Sequence, residues 1–367
     1  MVAGGTKIDT ATPPEFVAEW SANRAKRAEA KQARESKEPT AAPDPEARAK
    51  RIEKRETRVG SGLDQLEIWL VDIIGQGLAV TRAQGPAFWS QMASRLVDAQ
   101  APGLARRVND LSELAMASQW QDELLAGLAR LQLLIDGYRG IERLPPDLAA
   151  EVRSMVGWTQ EQEALRAREG QRDRWQVIAR RQTDDETVKT QFTWLHGANS
   201  NAFALVLEFA VGAQPLPATY SVGQVIDAEL VFFDGCPASR ALEKERFSIE
   251  PRQLTLPAPK DIATLQTEYA RLLAINPWFE RLPLVLGPVR PLFHDGRLHL
   301  QDASDRRIPV AATCRHTWDL IALARGESVS LFGEWNGSAF DPYSVERDGR
   351  LYTLARIADL SLLSRVA

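Results

Sequence analysis

The stretch AATCRHTWDL at residues 311–320 places Cys314 and His316 one residue apart. On an extended backbone those two side chains share a face, at the reach one metal ion needs. The only other thiol is Cys236, so a closed four-ligand zinc site would have to recruit distant histidines. The residues that follow support a simpler reading. Thr317 suits a helix N-cap, Asp319 the first turn and Gly326 the position after the last. Cys314-Arg315-His316 is therefore expected to be the loop entering a short helix.

The other residues with chemical potential divide in the same way. In FHDGRLHL, a two-residue turn at Asp295-Gly296 pairs Leu292 with His299 and His294 with Arg297. Both histidines then lie on one face, with Phe293, Leu298 and Leu300 on the other. Two imidazoles begin a metal site, but Arg297 between them repels a cation and no third ligand is close in sequence. Asp227 and Glu229 share a face of VIDAELVFF, as paired acid and base carboxylates would. Ile226, Ala228, Leu230 and Phe232 take the opposite face, so the acids are expected in solvent. His196 falls on the face shared with Val188, Phe192 and Trp194 and is expected to be a satisfied core imidazole. The motifs G-x-x-x-x-G-K-[ST], H-E-x-x-H, G-x-S-x-G and G-x-G-x-x-G are absent. No catalytic, cofactor-binding or metal residue is assigned and no cofactor is implied. The chain is read as no enzyme, the alternative being an enzyme of unrecognised type built on Asp227, Glu229 or the hairpin histidines.

The elements that would position these residues follow from periodicity. Residues 15–58 are rich in Ala, Glu, Lys and Arg and carry Pro39, Pro43 and Pro45, which break a continuous helix. Residues 1–60 are expected to be a charged arm, partly disordered or helical. Residues 61–169 have a helical apolar period: Leu63, Leu66, Leu70, Ile73 and Ile74 form one stripe, and Leu124, Leu128, Leu131, Ile135 and Tyr138 another. They are expected to form an all-helical bundle domain. From residue 170 to 367 the period becomes two, with turns at Asp295-Gly296, Asn336-Gly337 and Asp348-Gly349. This gives an α+β fold class: charged arm, helical bundle domain, then a mainly antiparallel α+β domain.

Charge restricts the partners. Residues 1–60 hold 13 Lys and Arg against 10 Asp and Glu, a balance of +3, which leaves −7 for the rest of a chain whose total is −4. Duplex nucleic acid is bound mainly by neutralising phosphates, so only the arm fits that role, through Arg48, Lys50, Arg51, Lys54 and Arg55. The pairs Arg106-Arg107, Arg180-Arg181 and Arg306-Arg307 are further candidates. The two cysteines make no disulfide framework, and the N-terminus has no apolar segment of signal-peptide type. A cytoplasmic protein without a membrane span is expected.

Several ordered segments resemble the bacterial SWIM zinc finger domain-containing proteins: PPEFVAEW (13–20), GLDQLEIWLVDIIGQGL (62–78), FWSQMASRLVDAQAPGLARR (88–107), LPPDL (144–148), GWTQEQE (157–163), RDRW (172–175), DAELVFFDG (227–235) and LFGEWNG (331–337). The resemblance runs from Pro13 through most of the chain. Family members carry C-x-C-x(n)-C-x-H before the segment that PPEFVAEW resembles. Here no cysteine precedes Cys236, so the finger's zinc and its binding role transfer to no residue. The expectation is either a start at an internal methionine or a member without the finger. The family is usually encoded beside a MoxR-type AAA+ ATPase and a von Willebrand A domain protein. The resemblance thus implies an accessory or adaptor role to such a system.

Taken together these readings favour a non-catalytic interaction protein, with nucleic-acid binding through the arm as the alternative. Trp335, beside Asn336-Gly337, is the candidate partner-binding residue, since tryptophan is enriched at interface hot spots. For nucleic acid the expectation is weak, unspecific binding confined to residues 1–60. Filter or anisotropy titrations should show it falling steeply with salt and vanishing when those residues are deleted; salt-resistant binding by residues 61–367 would relocate the site.

Overall fold

The computed structural model describes residues 45–117, 120–185, 188–212, 214–251 and 256–354. PPEFVAEW and the rest of residues 1–44 lie outside them. Helix α1, Pro45–Gln76, starts with proline at its first position, where the missing N–H costs nothing. Residue 60, where the expected arm ends, falls within this helix. After Gly77, at φ 92°, come α2 Leu78–Ala83, α3 Pro86–Asp98, α4 Pro102–Met116, α5 Trp120–Arg139 and α6 Pro146–Val156. Prolines at the first turns of α3, α4 and α6 set where each helix begins.

The described residues from Ser61 onward form a compact unit. Its helical part buries the expected stripes: Leu63, Leu66, Leu70 and Ile73 of α1, and Leu124, Leu128, Leu131, Ile135 and Tyr138 of α5. Ile74 departs from that expectation, being 54% exposed. Trp69, Phe88 and Trp89 form one aromatic cluster with ring centroids 5.2–5.6 Å apart, of which Trp89 is fully buried.

A short helix α7, Gln162–Arg166, leads to the strands. β1 Gln171–Asp185, β2 Val188–Gly197, β3 Phe203–Val211, β4 Gln224–Phe232 and β5 Arg240–Pro251 close into a barrel in the order β1-β2-β3-β5-β4. All its pairs are antiparallel except β3 with β5. Trp175, Val177, Leu195, Ala204, Val206, Ile226 and Leu230 fill it, together with Tyr220 from the β3–β4 connection.

The second sheet runs β11-β10-β9-β6-β7-β8. Its strands are β6 Leu282–His294, β7 Arg297–Asp302, β8 Arg307–Pro309, β9 Val329–Trp335, β10 Phe340–Arg347 and β11 Arg350–Thr353. Helices α8 Ile262–Ile275 and α9 Thr317–Ala324 pack on one face of it. Asp295-Gly296 and Asp348-Gly349 each have two positive φ angles, the geometry of tight hairpin turns. Asn336-Gly337 differs: the loop has four residues, and Asn336 Oδ1 accepts the N–H groups of Ser338 and Ala339.

Close helix approach in the bundle depends on a missing side chain. A Cβ on Gly103 of α4 would stand 2.2 Å from the Met155 carbonyl oxygen of α6. Gly103→Ala should therefore force the two helices apart and cost roughly 1–3 kcal/mol, as overpacking does. Urea unfolding measures it; an unchanged midpoint would mean that α4 and α6 part freely.

Candidate functional site

The barrel's strand order and its one parallel pair are those of an oligonucleotide/oligosaccharide-binding (OB) barrel. Such barrels bind on the face of β2 and β3 and through the β1–β2 and β4–β5 loops, which makes these the first places to look for a site. The outer face of β2 and β3 carries Trp194, Phe203 and Leu205, and it lies under the second sheet. Phe332 of β9 stands with its ring centroid 5.8 Å from Trp194 and 5.5 Å from Phe203. Ile178, Ala179, Val285 and Tyr343 complete this layer. Burying each large apolar side chain stabilises by roughly 1.5–3 kcal/mol, whereas a stacked base returns about 1–3 kcal/mol. The two are of similar size per group, so a strand of nucleic acid would gain little by displacing a sheet that already covers this part of the face.

The β4–β5 loop is held just as firmly. Arg168 makes two bonds to the Asp234 carboxylate, at 2.8 and 3.0 Å. Gln160 donates to the Asp234 carbonyl and accepts its N–H. Glu151 of α6 accepts the N–H of Cys236, and Asn276 Nδ2 donates to the Cys236 carbonyl at 2.6 Å. Burial pushes the Glu151 pKa up despite that bond. Beyond the loop, Trp278 donates its indole N–H to the Arg130 carbonyl of α5. Its ring edge would lie 2.9 Å from a Cβ on Gly137. Thus the loop that in an OB barrel closes over a ligand here ties the bundle to the strands.

Buried ionisable groups gather at one further point, which sequence reasoning missed. Glu334 and Asp341 are cross-strand partners, and the Tyr343 hydroxyl donates to Glu334 Oε2 at 2.7 Å and lies 3.3 Å from Asp341. Arg281 stands 3.2 Å from Glu334 and 3.7 Å from Asp341. Burial pushes the Asp341 pKa up, opposed by Arg281. Two carboxylates in unequal environments are the raw material of acid–base catalysis. Here their partners are Arg281, just before β6, and Tyr343 of β10, and the arrangement ties together three neighbouring inner strands. The alternation of Glu334 and Asp341 with apolar neighbours reads as an ordinary outward face, so only tertiary packing reveals the cluster.

The residues singled out from sequence are dispersed. His294 pairs with Arg297 and Leu292 with His299, as expected, and the two imidazoles lie perpendicular with centroids 5.6 Å apart. Among the described residues no group of three or more His, Cys, Asp or Glu side chains is placed to hold a metal ion. Cys314 sits in a turn, donating its N–H to the Ala311 carbonyl. His316, not Thr317, is the N-cap of α9, and its Nδ1 lies 2.9 Å from Asp319 Oδ2. Asp227 is bound by Arg172 through two bonds, and Glu229 by Lys244 and the Gly170 N–H. Those cations hold both carboxylates below their usual range. His196 is buried; its Nε2 donates to Asn201 Oδ1 at 2.9 Å, and burial lowers its pKa. Its Nδ1 has no partner among the described residues, so it is a less completely satisfied core residue than expected.

The basic candidates are also accounted for. Arg48, Lys50, Arg51 and Lys54 are exposed on α1, with Arg55 half-buried, and Glu46, Glu53 and Glu56 are interleaved with them. Arg107 binds Glu280 at 2.8 Å, Arg180 donates to the Tyr220 carbonyl at 2.6 Å, and the Arg181 guanidinium lies 3.7 Å over the Phe192 ring. Arg306 stands 3.8 Å from Asp302. Trp335 lies inside the sheet's core at 4% exposure, paired with Phe340 and Leu282. It therefore presents no face to a partner.

What the bundle does expose is apolar. Ile68, Val71 and Ile74 on the outer edge of α1 are 63%, 65% and 54% exposed, and Leu125 of α5 is 50% exposed. Glu67 binds Gln132 and Arg139, and Asp64 binds Arg139. These bonds run α1 and α5 antiparallel. For Ile68 and Val71 the signal was present in the sequence as apolar residues off the expected stripe, whereas Ile74 had been placed on it.

Residues 54–156 match the family model described as the SWIM-associated four-helix bundle domain. No curated protein matches the chain.

Trp335→Ala should cost about 3–5 kcal/mol, as loss of a core tryptophan does. Calorimetry or urea unfolding measures this, and a variant melting with the wild type would return Trp335 to the surface.

Proposed function

We propose, from the premise that residues 54–156 belong to the SWIM-associated four-helix bundle family, that the chain is a non-catalytic adaptor that docks a protein partner on its bundle. One observation carries the reading: Ile68, Val71 and Ile74 stand half-exposed or more along one edge of α1 that the bundle's own core does not use, and Leu125 of α5 is likewise half-exposed. An edge of this kind fits an interface more readily than a solvated helix face. The reading is also supported by the pairing of Asp227 and Glu229 with cations, which leaves neither carboxylate poised for proton transfer.

The resemblance to SWIM zinc finger proteins supplies the class of partner, a MoxR-type AAA+ ATPase or the von Willebrand A domain protein encoded with it. In this reading the adaptor works in the cytoplasm. Among the described residues no helix is long and apolar enough to cross a membrane.

Affinity capture from the native host, compared between the wild type and the double variant Val71→Asp, Ile74→Asp, tests the proposal. Both positions are solvent-facing, so the variant should melt close to the wild type while losing the ATPase or its companion from the captured fraction. Equal capture by both proteins would remove the α1 edge from the interface. Recovery of nucleic acid in place of protein would favour the alternative.

A further inference from the structure

β3 meets β5 over two residue pairs only, Leu205 with Arg240 and Val206 with Ala241. Beyond them the strands part. Leu207 to Val211 keep β2 on one side, and among the described residues no strand pairs with their other side. Leu205 donates its N–H to the Ser239 carbonyl at 2.7 Å, so the strand's alternation turns the N–H groups of Phe209 and Val211 the same way, past the end of the ladder. The outward side chains there are apolar: Phe209 is 51% and Val211 62% exposed. Neither the lysine nor the proline that commonly blunts an open strand edge occurs in this stretch.

Where β3 and β5 part they leave a cleft of about 240 Å³, smaller than the roughly 300–1,000 Å³ of a small-molecule pocket. Glu208, Glu243 and Arg240 line it with Arg166 of α7. The carboxylates are engaged: Glu243 accepts the Tyr220 hydroxyl at 2.8 Å and binds Arg246, and Glu208 accepts Gln191 Nε2 and the Thr219 hydroxyl. The arginines are not. The Arg240 guanidinium lies 4.3 Å over the Phe233 ring, and desolvation lowers its pKa with no carboxylate opposing it. Neither Arg240 nor Arg166 has a carboxylate partner among the described residues.

We propose that this cleft takes an extended, acidic segment of a partner protein, which adds as a strand to the free edge of β3 and sets a carboxylate against Arg166 and Arg240. Backbone N–H groups at strand spacing are satisfied by a peptide backbone, as in other cases of strand addition. Phe209 and Val211 supply cross-strand contacts for its apolar side chains, and two guanidinium groups without partners call for an anion. Glu208 and Glu243 in the same cleft repel a polyanion, which disfavours a nucleic-acid strand more than a single carboxylate. The site lies on the barrel, away from the α1 edge, and either can fail without the other.

Peptides selected on the full chain from a random phage-displayed library, then synthesised with a fluorescent label, test the proposal. They should combine apolar residues in alternation with Asp or Glu, and bind the Val71→Asp, Ile74→Asp variant as they bind the wild type. Anisotropy titration of the double variant Arg166→Gln, Arg240→Gln should give binding weaker by about tenfold to a hundredfold, as loss of charged hydrogen bonds does. Phe209→Pro removes an edge N–H that β2 does not use and should abolish binding, whereas Phe209→Ala should weaken it only in part. If the proline variant does not fold, hydrogen exchange of the wild type decides, since bound peptide should slow exchange at Phe209 and Val211. Failure to select any peptide, or peptides that bind the arginine variant equally and leave those amides unprotected, would overturn the proposal. Displacement of the peptide by a single-stranded oligonucleotide would overturn it in favour of nucleic acid. A dimer seen by light scattering and lost in Phe209→Pro would overturn it in favour of a second copy.

Discussion

Phe332 occupies the position on which the rest of the molecule depends, because its ring fills the space between two sheets that each need an apolar face covered. The barrel's interior consumes one face of β2 and β3. Their other face is equally apolar, with Trp194, Phe203 and Leu205 in succession, and water is the wrong neighbour for it. In a barrel that binds oligonucleotides, such a face is left open and lined with a few aromatics for bases to stack on. Here the second sheet takes that place, and contacts that would otherwise form with a ligand are made once, at folding.

The same substitution of internal packing for recognition governs the other end of the barrel. Asp234, Gly235 and Cys236 lie in a β4–β5 connection whose carboxylate and backbone groups are bonded to α6, to the linker before β1 and to Asn276. The loop therefore works as a clamp between bundle and barrel. The β4–β5 loop and the Trp194, Phe203 and Leu205 part of the β2–β3 face are thus engaged within the chain, and exposed apolar surface lies on the bundle. Its α1 edge meets the requirement that an interface residue contribute little to its own core.

How far this was legible in the sequence differed by level. Helices α3, α4 and α6 start at prolines the sequence displays, and the hairpin at Asp295-Gly296 put His294 and His299 in register two residues at a time. Those features are local, set by backbone chemistry within a few residues. Barrel closure was not legible, because it depends on β3 meeting β5 across a separation of some thirty-five residues, and period-two alternation is the same for an open sheet as for a barrel. Trp335 shows the limit most clearly. Proximity to a turn left its ring free to face either side, and the choice was made by Leu282 and Phe340, which no local pattern connects to it. His316 is a smaller case: Thr317 is the better N-cap by residue type, yet the helix starts one residue earlier, with His316 at the cap and no side-chain capping bond.

Asp173 marks where a chemical reading and a structural one separate. It is a buried acid on β1, and burial alone would raise its pKa. It accepts N–H groups from Arg174, Asn199 and Ser200 and a further bond from the Asn199 side chain, and these donors hold it below the usual carboxylate range. A carboxylate that is ionised, surrounded by donors and immobile has no proton to give and no lone pair to spare. It fixes the β2–β3 turn, and through the turn the start of β3 that carries Phe203 to Phe332. Asp173 is thus a fastening for the start of β3 and the apolar layer it carries.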